Sequence, residues 1–227
     1  MAATLQTRYS FTAQFVRGSA IFATRARALE DANLESAPEE VGTEHRAFVV
    51  GAIVQCAAAL EAEIAEVMRH GPGHQLGSNG IDHSAHALLE PIRDVLEGEP
   101  VLRQYEVVLH LLKRPALDRG ASPYQEAGLL IKLRNELIHY KSKWGPDMES
   151  EKLFASLEQL RFERPPFESP STNFFPHRCL SASLASWSVT SASGFIDGFY
   201  SRLGMPSPLQ PYQSRISVPP VRRIGTG

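Results

Sequence analysis

Residues 129–143 read LLIKLRNELIHYKSK, and this stretch decides the fold class. At 100° per residue, Leu129, Leu130, Ile131, Leu133, Leu137, Ile138 and Tyr140 fill an arc of about 200° on a helical wheel. That is wider than one core face requires. The helix is therefore expected to pack on its own bundle and also on a second subunit. Lys132, Asn135, Glu136, His139, Ser142 and Lys143 occupy the remaining arc. Asn135 and His139 are four apart and so are neighbours on one face. Arg134 falls inside the apolar arc, where a guanidinium is costly without a partner. Glu61 and Glu63, on a long helix expected over 44–69, are its expected partners, with Glu66 nearby.

The pattern on either side is also helical. A first helix is expected over 12–33, with Phe11, Phe15 and Phe22 on its packed side, and an acidic linker over 34–43. Five glycines and prolines in GPGHQLGSNG break the chain after residue 69. Asp82 is placed to cap a helix running to 97, and Pro100 opens another to about 112. The central helix is expected over 124–143, stopped by Gly145-Pro146. Helices over 148–162 and 179–203 follow, separated by PPFESPSTNFFPHR, which reads as irregular. The Pro- and Ser-rich residues after 204 carry Arg215, Arg222 and Arg223 and read as a flexible arm. No alternating apolar run makes a sheet. The fold class is all-α, an up-and-down bundle. Its parts are an N-terminal helix and acidic linker (1–43), the helical domain (44–204) and the tail (205–227).

Composition excludes several classes. With 227 residues, 43% hydrophobic and 21% charged, the chain is neither wholly disordered nor a coiled-coil rod. A net charge of −2 excludes a globally basic nucleic-acid coat. Cys56 and Cys179 match no metal or redox spacing, and they read as reduced thiols of a cytoplasmic protein, with Cys56 buried. The longest apolar run, FVVGAIVQCAAAL, is about thirteen residues where a membrane span needs about twenty, so it reads as a buried helix. Residues 1–29 hold Arg8, Arg17, Arg25 and Arg27 without an acid, as an organellar presequence does. An amphipathic helix of the folded protein is the preferred reading.

Arg134-Asn135-Glu136-Leu137-Ile138-His139 resembles the R-x-x-x-x-H signature of HEPN domains, in the form where Asn follows Arg. The likeness extends loosely over 46–203, including the LEAEI run and the last helix with Trp187. Arg69 and His74 have the same spacing, but across a Gly-Pro-Gly loop that cannot place them on a helix. The resemblance implies a helical bundle and, in many members, a metal-independent endoribonuclease or toxin that acts as a dimer. It implies an RNA substrate, no cofactor and no metal, and a homodimer through the Arg134–His139 helix. An antitoxin or defence-system protein is the implied partner. Catalysis would fall to His139 for proton transfer, to Arg134 for the developing charge, and to Asn135 for orientation. Lys132, Lys141 and Lys143 would attract phosphate. The products would be 2′,3′-cyclic phosphate and 5′-hydroxyl ends. The alternative is a non-catalytic HEPN module that binds a protein or nucleic acid. Some HEPN toxins are modified on a Tyr two residues after the His. Here Tyr140 follows His139 directly and Lys141 takes that place, which speaks against such regulation.

Other constellations are weaker. His83, His86 and Glu90 lie at helical spacing, with His70 and His74 upstream, but no cysteine accompanies them and solvated helix residues are the preferred reading. Glu61, Glu63 and Glu66 read as a charged exposed face. SASLASWSVTSASG reads as a surface for close helix packing, since no Gly-x-Ser-x-Gly elbow accompanies it.

Overall fold

In the computed structural model, which describes residues 10–70, 87–141 and 152–224, helix α1 covers Thr12–Ala32 and α2 covers Glu39–His70. A short α3 (Arg93–Leu96) precedes α4 (Val101–Leu111) and α5 (Tyr124–Ile138). Helices α6 (Lys152–Gln159) and α7 (Ala182–Leu203) complete the set. Among the described residues there is no strand, only one isolated antiparallel bridge between Phe162 and Arg223. The chain is an all-α bundle, as its periodicity predicts.

Helices α1, α2 and α7 pack against one another and form the centre. Small side chains make this possible. The buried face of α1 is Ala13, Val16, Ser19, Ala20, Ala23 and Ala26, and α7 buries Ala182, Ala185, Ala192 and four serines. The Ser-rich helix thus serves close packing. Two glycines mark the tightest approach of α1 to α2. A Cβ on Gly51 would lie 2.8 Å from the Phe22 ring, and one on Gly18 would strike the Gln55 amide. The first helix is therefore part of the central bundle and no appendage. Phe15 and Phe22 pack on the core as expected, flanking the alanine face, whereas Phe11 is exposed. Close helix approach favours residues with little side chain, so the rings are displaced to the edges.

Two hydrogen bonds fix the directions. The Phe11 amide donates to Glu66 Oε1 at 3.1 Å, which sets the start of α1 against the end of α2. The Tyr200 hydroxyl donates to Glu63 Oε1 at 2.5 Å, which sets the ends of α7 and α2 together. Helix α1 therefore runs opposite to both. Around this centre α5 packs on α2 and α7, and α4 adds Tyr105. Tyr105 donates to the Leu60 carbonyl at 2.7 Å and meets Phe195 and Phe199 edge-on. Each such fully buried large side chain contributes about 1.5–3 kcal/mol.

Several boundaries move. The expected linker over 34–43 is shorter, because α2 starts at Glu39, after Pro38, with Glu39 and Glu40 favourably in its first turn. The expected helix to residue 97 is interrupted by a tighter turn at Glu90–Ile92, which holds Pro91. Its proposed cap, Asp82, lies outside the described residues. Helix α5 ends at Ile138, short of the expected Lys143. The tail is not a free arm. Leu209 and Ile216 are buried, Met205, Tyr212, Val218 and Val221 pack on the core, and Arg17 lies over the Tyr212 ring at 5.4 Å. Helix α2 is long and apolar enough to cross a membrane by length and composition alone, yet Val49, Ile53, Cys56, Leu60 and Ile64 are buried within the bundle.

Candidate functional site

Arg134, Asn135 and His139 lie at the C-terminal end of α5. Leu130 and Leu133 anchor that helix in the core, and Leu129, Ile131 and Leu137 pack at its margin. Arg134 is about one turn beyond Leu130 and emerges between α5 and α2. Its side chain is 16% exposed and its guanidinium forms an ion pair with Glu61. The expected partner is therefore the one found. Glu63, the second candidate, is fully buried and accepts from Tyr200, so the three glutamates do not form one exposed face. Residues two apart on a helix point to nearly opposite sides, which separates Glu63 from Glu61.

Asn135 and His139 are both exposed. His139 is the residue that ends α5, and its amide still donates to the Asn135 carbonyl at 2.9 Å. The two thus stay neighbours although His139 lies one residue past the helix. Tyr140 then leaves the helix axis, with its ring 5.9 Å from Phe175. Ile138 and Tyr140, 52% and 44% exposed, bracket the histidine with apolar surface. Of the expected phosphate-attracting lysines, Lys132 and Lys141 are exposed. Lys143 lies outside the described residues, as do His74, His83 and His86.

Cavities open elsewhere among the described residues, and the three described next are not lined by Arg134, Asn135 or His139. One, of about 610 Å³, lies between α4, α5 and α6 and includes Leu102, Tyr124, Leu129 and Lys132. A second, about 430 Å³, holds Arg103, His110, Arg114 and Arg119 around Glu106. Glu106 accepts from Arg119 Nε and Nη2, each at 2.5 Å, and from the Tyr124 hydroxyl at 2.8 Å. Partial burial pushes its carboxyl up, but these bonds and the one from Arg103 together outweigh that and hold it below the ordinary carboxylate value. Partial burial and the hydrogen bond to Glu106 push the Tyr124 phenol up. The third cavity, about 300 Å³, is lined by Arg161, Arg164, Arg178, Phe162 and Phe174. Sequence reasoning singles out none of these. A signal is present, since RFER and FFPHR interleave arginine with phenylalanine.

A buried polar cluster also escapes the sequence pattern. Glu30 accepts from Arg27 at 2.8 Å and from the Ala182 amide at 2.8 Å, and it bonds His45 Nε2 at 3.0 Å. Arg27 also donates to Ser183 at 2.8 Å. Glu30 thereby caps the start of α7 from another helix, which is a structural task. Both thiols are buried, and burial pushes each up to about 12. The thiolate is the reactive form, so neither cysteine is a candidate nucleophile. Among the described residues no cluster of three or more His, Cys, Asp or Glu could hold a metal ion. Comparison of the chain with protein-family models, with curated proteins and with solved structures gave no match.

Proposed function

We propose that this protein is a metal-independent endoribonuclease of HEPN type, acting as a homodimer through the end of α5. One observation carries the reading: the R-N-x-x-x-H residues cluster at an accessible helix end, with His139 and Asn135 open to solvent. The chemistry follows from the residue types. His139 of one subunit takes the proton of a ribose 2′-hydroxyl, and the 2′-oxygen attacks phosphorus. The bond from phosphorus to the 5′-oxygen breaks, and His139 of the partner subunit gives that oxygen a proton. The products are a 2′,3′-cyclic phosphate and a 5′-hydroxyl. Arg134 faces the charge on the five-coordinate phosphorus. Glu61 takes one terminal nitrogen of its guanidinium and holds the fork in place. Asn135 orients the imidazole. Lys132 and Lys141 attract the backbone. Exposed Ile138 and Tyr140 supply apolar area for the second copy. The expected setting is a cytoplasmic toxin or defence effector restrained by a partner protein.

A second reading is favoured by the Arg134–Glu61 pair itself. An arginine tied to the neighbouring helix can serve as a brace, and the protein is then a non-catalytic HEPN module that binds a partner. One experiment separates the two: RNA cleavage in EDTA by the wild type beside His139→Ala, with product ends read by mass spectrometry and folding compared by circular dichroism. Cyclic-phosphate ends from the wild type alone support the ribonuclease. Intact RNA with both proteins favours the binding module. Equal cleavage by both sinks the assigned site.

A further inference from the structure

The 300 Å³ cavity beside α6 brings arginine and phenylalanine side chains together. Three arginines line it against a single acid, Glu158, in a chain whose net charge is negative. Two of the three are tethered to backbone carbonyls through Nε. Arg178 Nε donates to the Thr172 carbonyl at 2.9 Å, and Arg164 Nε donates to the Glu168 carbonyl at 3.1 Å. Tethering at Nε fixes the plane of each guanidinium while its terminal nitrogens make no hydrogen bond among the described residues. Glu158 approaches Arg178 no closer than 3.9 Å, a loose pairing. Arg161 is exposed and has no ion-pair partner among the described residues. It has φ 53°, the left-handed position just past α6 where glycine is usual. A long cation stands there in spite of that backbone cost.

The aromatic half is equally ordered. Arg178 lies over the Phe174 ring at 5.7 Å, and Arg223 over the Phe162 ring at 5.6 Å. The tail forms one wall. Its Ile224 amide donates to the Arg161 carbonyl at 2.8 Å, and the Glu163 amide donates back to the Arg222 carbonyl at 3.0 Å. Phe175, next to Phe174, touches Tyr140, the neighbour of His139. The cavity and the end of α5 therefore share one turn of chain.

We propose that this cavity binds one unpaired nucleotide of a single-stranded RNA, with phosphate on Arg161, Arg164 and Arg178 and the base against Phe174. Arginine forks match phosphate oxygens bidentately. Bases stack on phenylalanine and guanidinium planes only when they are splayed out of a helix. The volume lies at the lower end of small-ligand sites and suits a single nucleotide. The choice of RNA as ligand rests on the function proposed above, and the site would hold the strand flanking the scissile bond.

The test is fluorescence anisotropy with a short labelled 2′-O-methyl oligoribonucleotide, which lacks the attacking hydroxyl, titrated with the full chain at several salt concentrations. Arg161→Gln with Arg178→Gln is expected to weaken binding about tenfold or more. It should also flatten the salt dependence by about one unit of slope for each phosphate no longer neutralised. Arg161→Gln alone, at an exposed position, covers the case in which the double variant fails to fold. Phe174→Leu is expected to weaken the oligonucleotide but not an abasic strand of the same length. Arg202→Gln, an exposed arginine on α7, is the equal-charge control and should bind as the wild type does. Unchanged binding by the Arg161 variants, equal loss with Arg202→Gln, or no binding by the wild type would each overturn the site. His139→Ala separates this proposal from the ribonuclease reading. An intact pocket without cleavage by the wild type removes the enzyme and keeps the site, whereas cleavage with pocket variants that bind normally removes the site alone.

Discussion

Two of the arginine–glutamate pairs in this chain lie under opposite conditions. Arg27, Glu30 and His45 sit inside the bundle where α1, α2 and α7 converge, and all three are buried. Arg134 and Glu61 lie at the rim, beside exposed Asn135 and His139. The same residue types act differently because water is absent in one place and present in the other. Taking a charge out of water costs several kcal/mol. The inner cluster therefore exists only because Glu30 is bonded by Arg27, His45 and the Ala182 amide together. At the rim Arg134 still needs an acid, but its partner Glu61 is 42% exposed and shares its charge with water, and His139 is open to solvent. A set of titratable groups is evidence for chemistry only where its members are not already committed to holding the fold.

The contrast is sharpest at Glu30. Glu30→Gln keeps the shape but removes the charge that compensates Arg27. The expected loss is about 3–5 kcal/mol, because the buried cation keeps only Glu163, 3.9 Å away and half exposed. Urea unfolding with linear extrapolation measures it. A loss under about 1 kcal/mol would mean that water reaches the cluster and that the two regions are not different in kind.

The two halves of this comparison are not equally legible in the sequence. The Arg134–Glu61 pair is, because an arginine inside an apolar arc needs an acid and the LEAEI run supplies one. The Arg27–Glu30–His45 cluster is not. It joins three segments, with Ser183 lying 156 residues from Arg27, and no local periodicity reports such a pairing. The apolar face of α1 is made of alanine, a residue that carries little hydrophobic signal, so the pattern does not mark Arg27 and Glu30 as buried. The tail misleads for a related reason. Leu209, Tyr212, Ile216 and Val221 are spaced singly among proline and serine, so composition resembles disorder while each apolar side chain finds a place on the core. The early end of α5 is not legible either. Nothing between Ile138 and Gly145 breaks a helix by propensity, but Tyr140 turns towards Phe175.

The next effect in size belongs to Glu63, a second buried acid. Tyr200→Phe removes the hydroxyl that donates to it at 2.5 Å. The expected cost is about 1–3 kcal/mol, the desolvation penalty of a buried acceptor that loses a donor. Thermal unfolding with calorimetry reads it. A neutral substitution would show that Glu63 is satisfied without Tyr200 and would weaken the claim that buried acids here are purely structural.

Glu106 stands between the two extremes, largely shielded but paired with an exposed Arg119. Glu106→Gln is expected to cost about 1–2 kcal/mol, less than Glu30 because solvent screens its partners. The pH dependence has a fixed sign. Its carboxyl is held below the ordinary value, so the unfolded chain binds the proton first. The contribution is present above the ordinary carboxylate value and is lost as pH falls below it. Wild type and Glu106→Gln should therefore converge in stability as the medium is acidified. Parallel curves down to strong acid would contradict the assignment.

The smallest effect tests the rim itself. In a double-mutant cycle over Arg134→Ala and Glu61→Ala, the coupling is expected at about 0.2–1 kcal/mol, as for other partly exposed ion pairs. Nearly half of the Glu61 side chain is open to solvent, so added salt should shrink the coupling further. RNA cleavage should behave differently. If Arg134 faces phosphate, Arg134→Ala removes activity out of proportion to this coupling, and Glu61→Ala loosens the fork while leaving the cation in place. A coupling of several kcal/mol, comparable to the Glu30 cluster, would reverse the assignment: Arg134 would then be a brace like Arg27, and the rim would belong to the fold instead of to the chemistry.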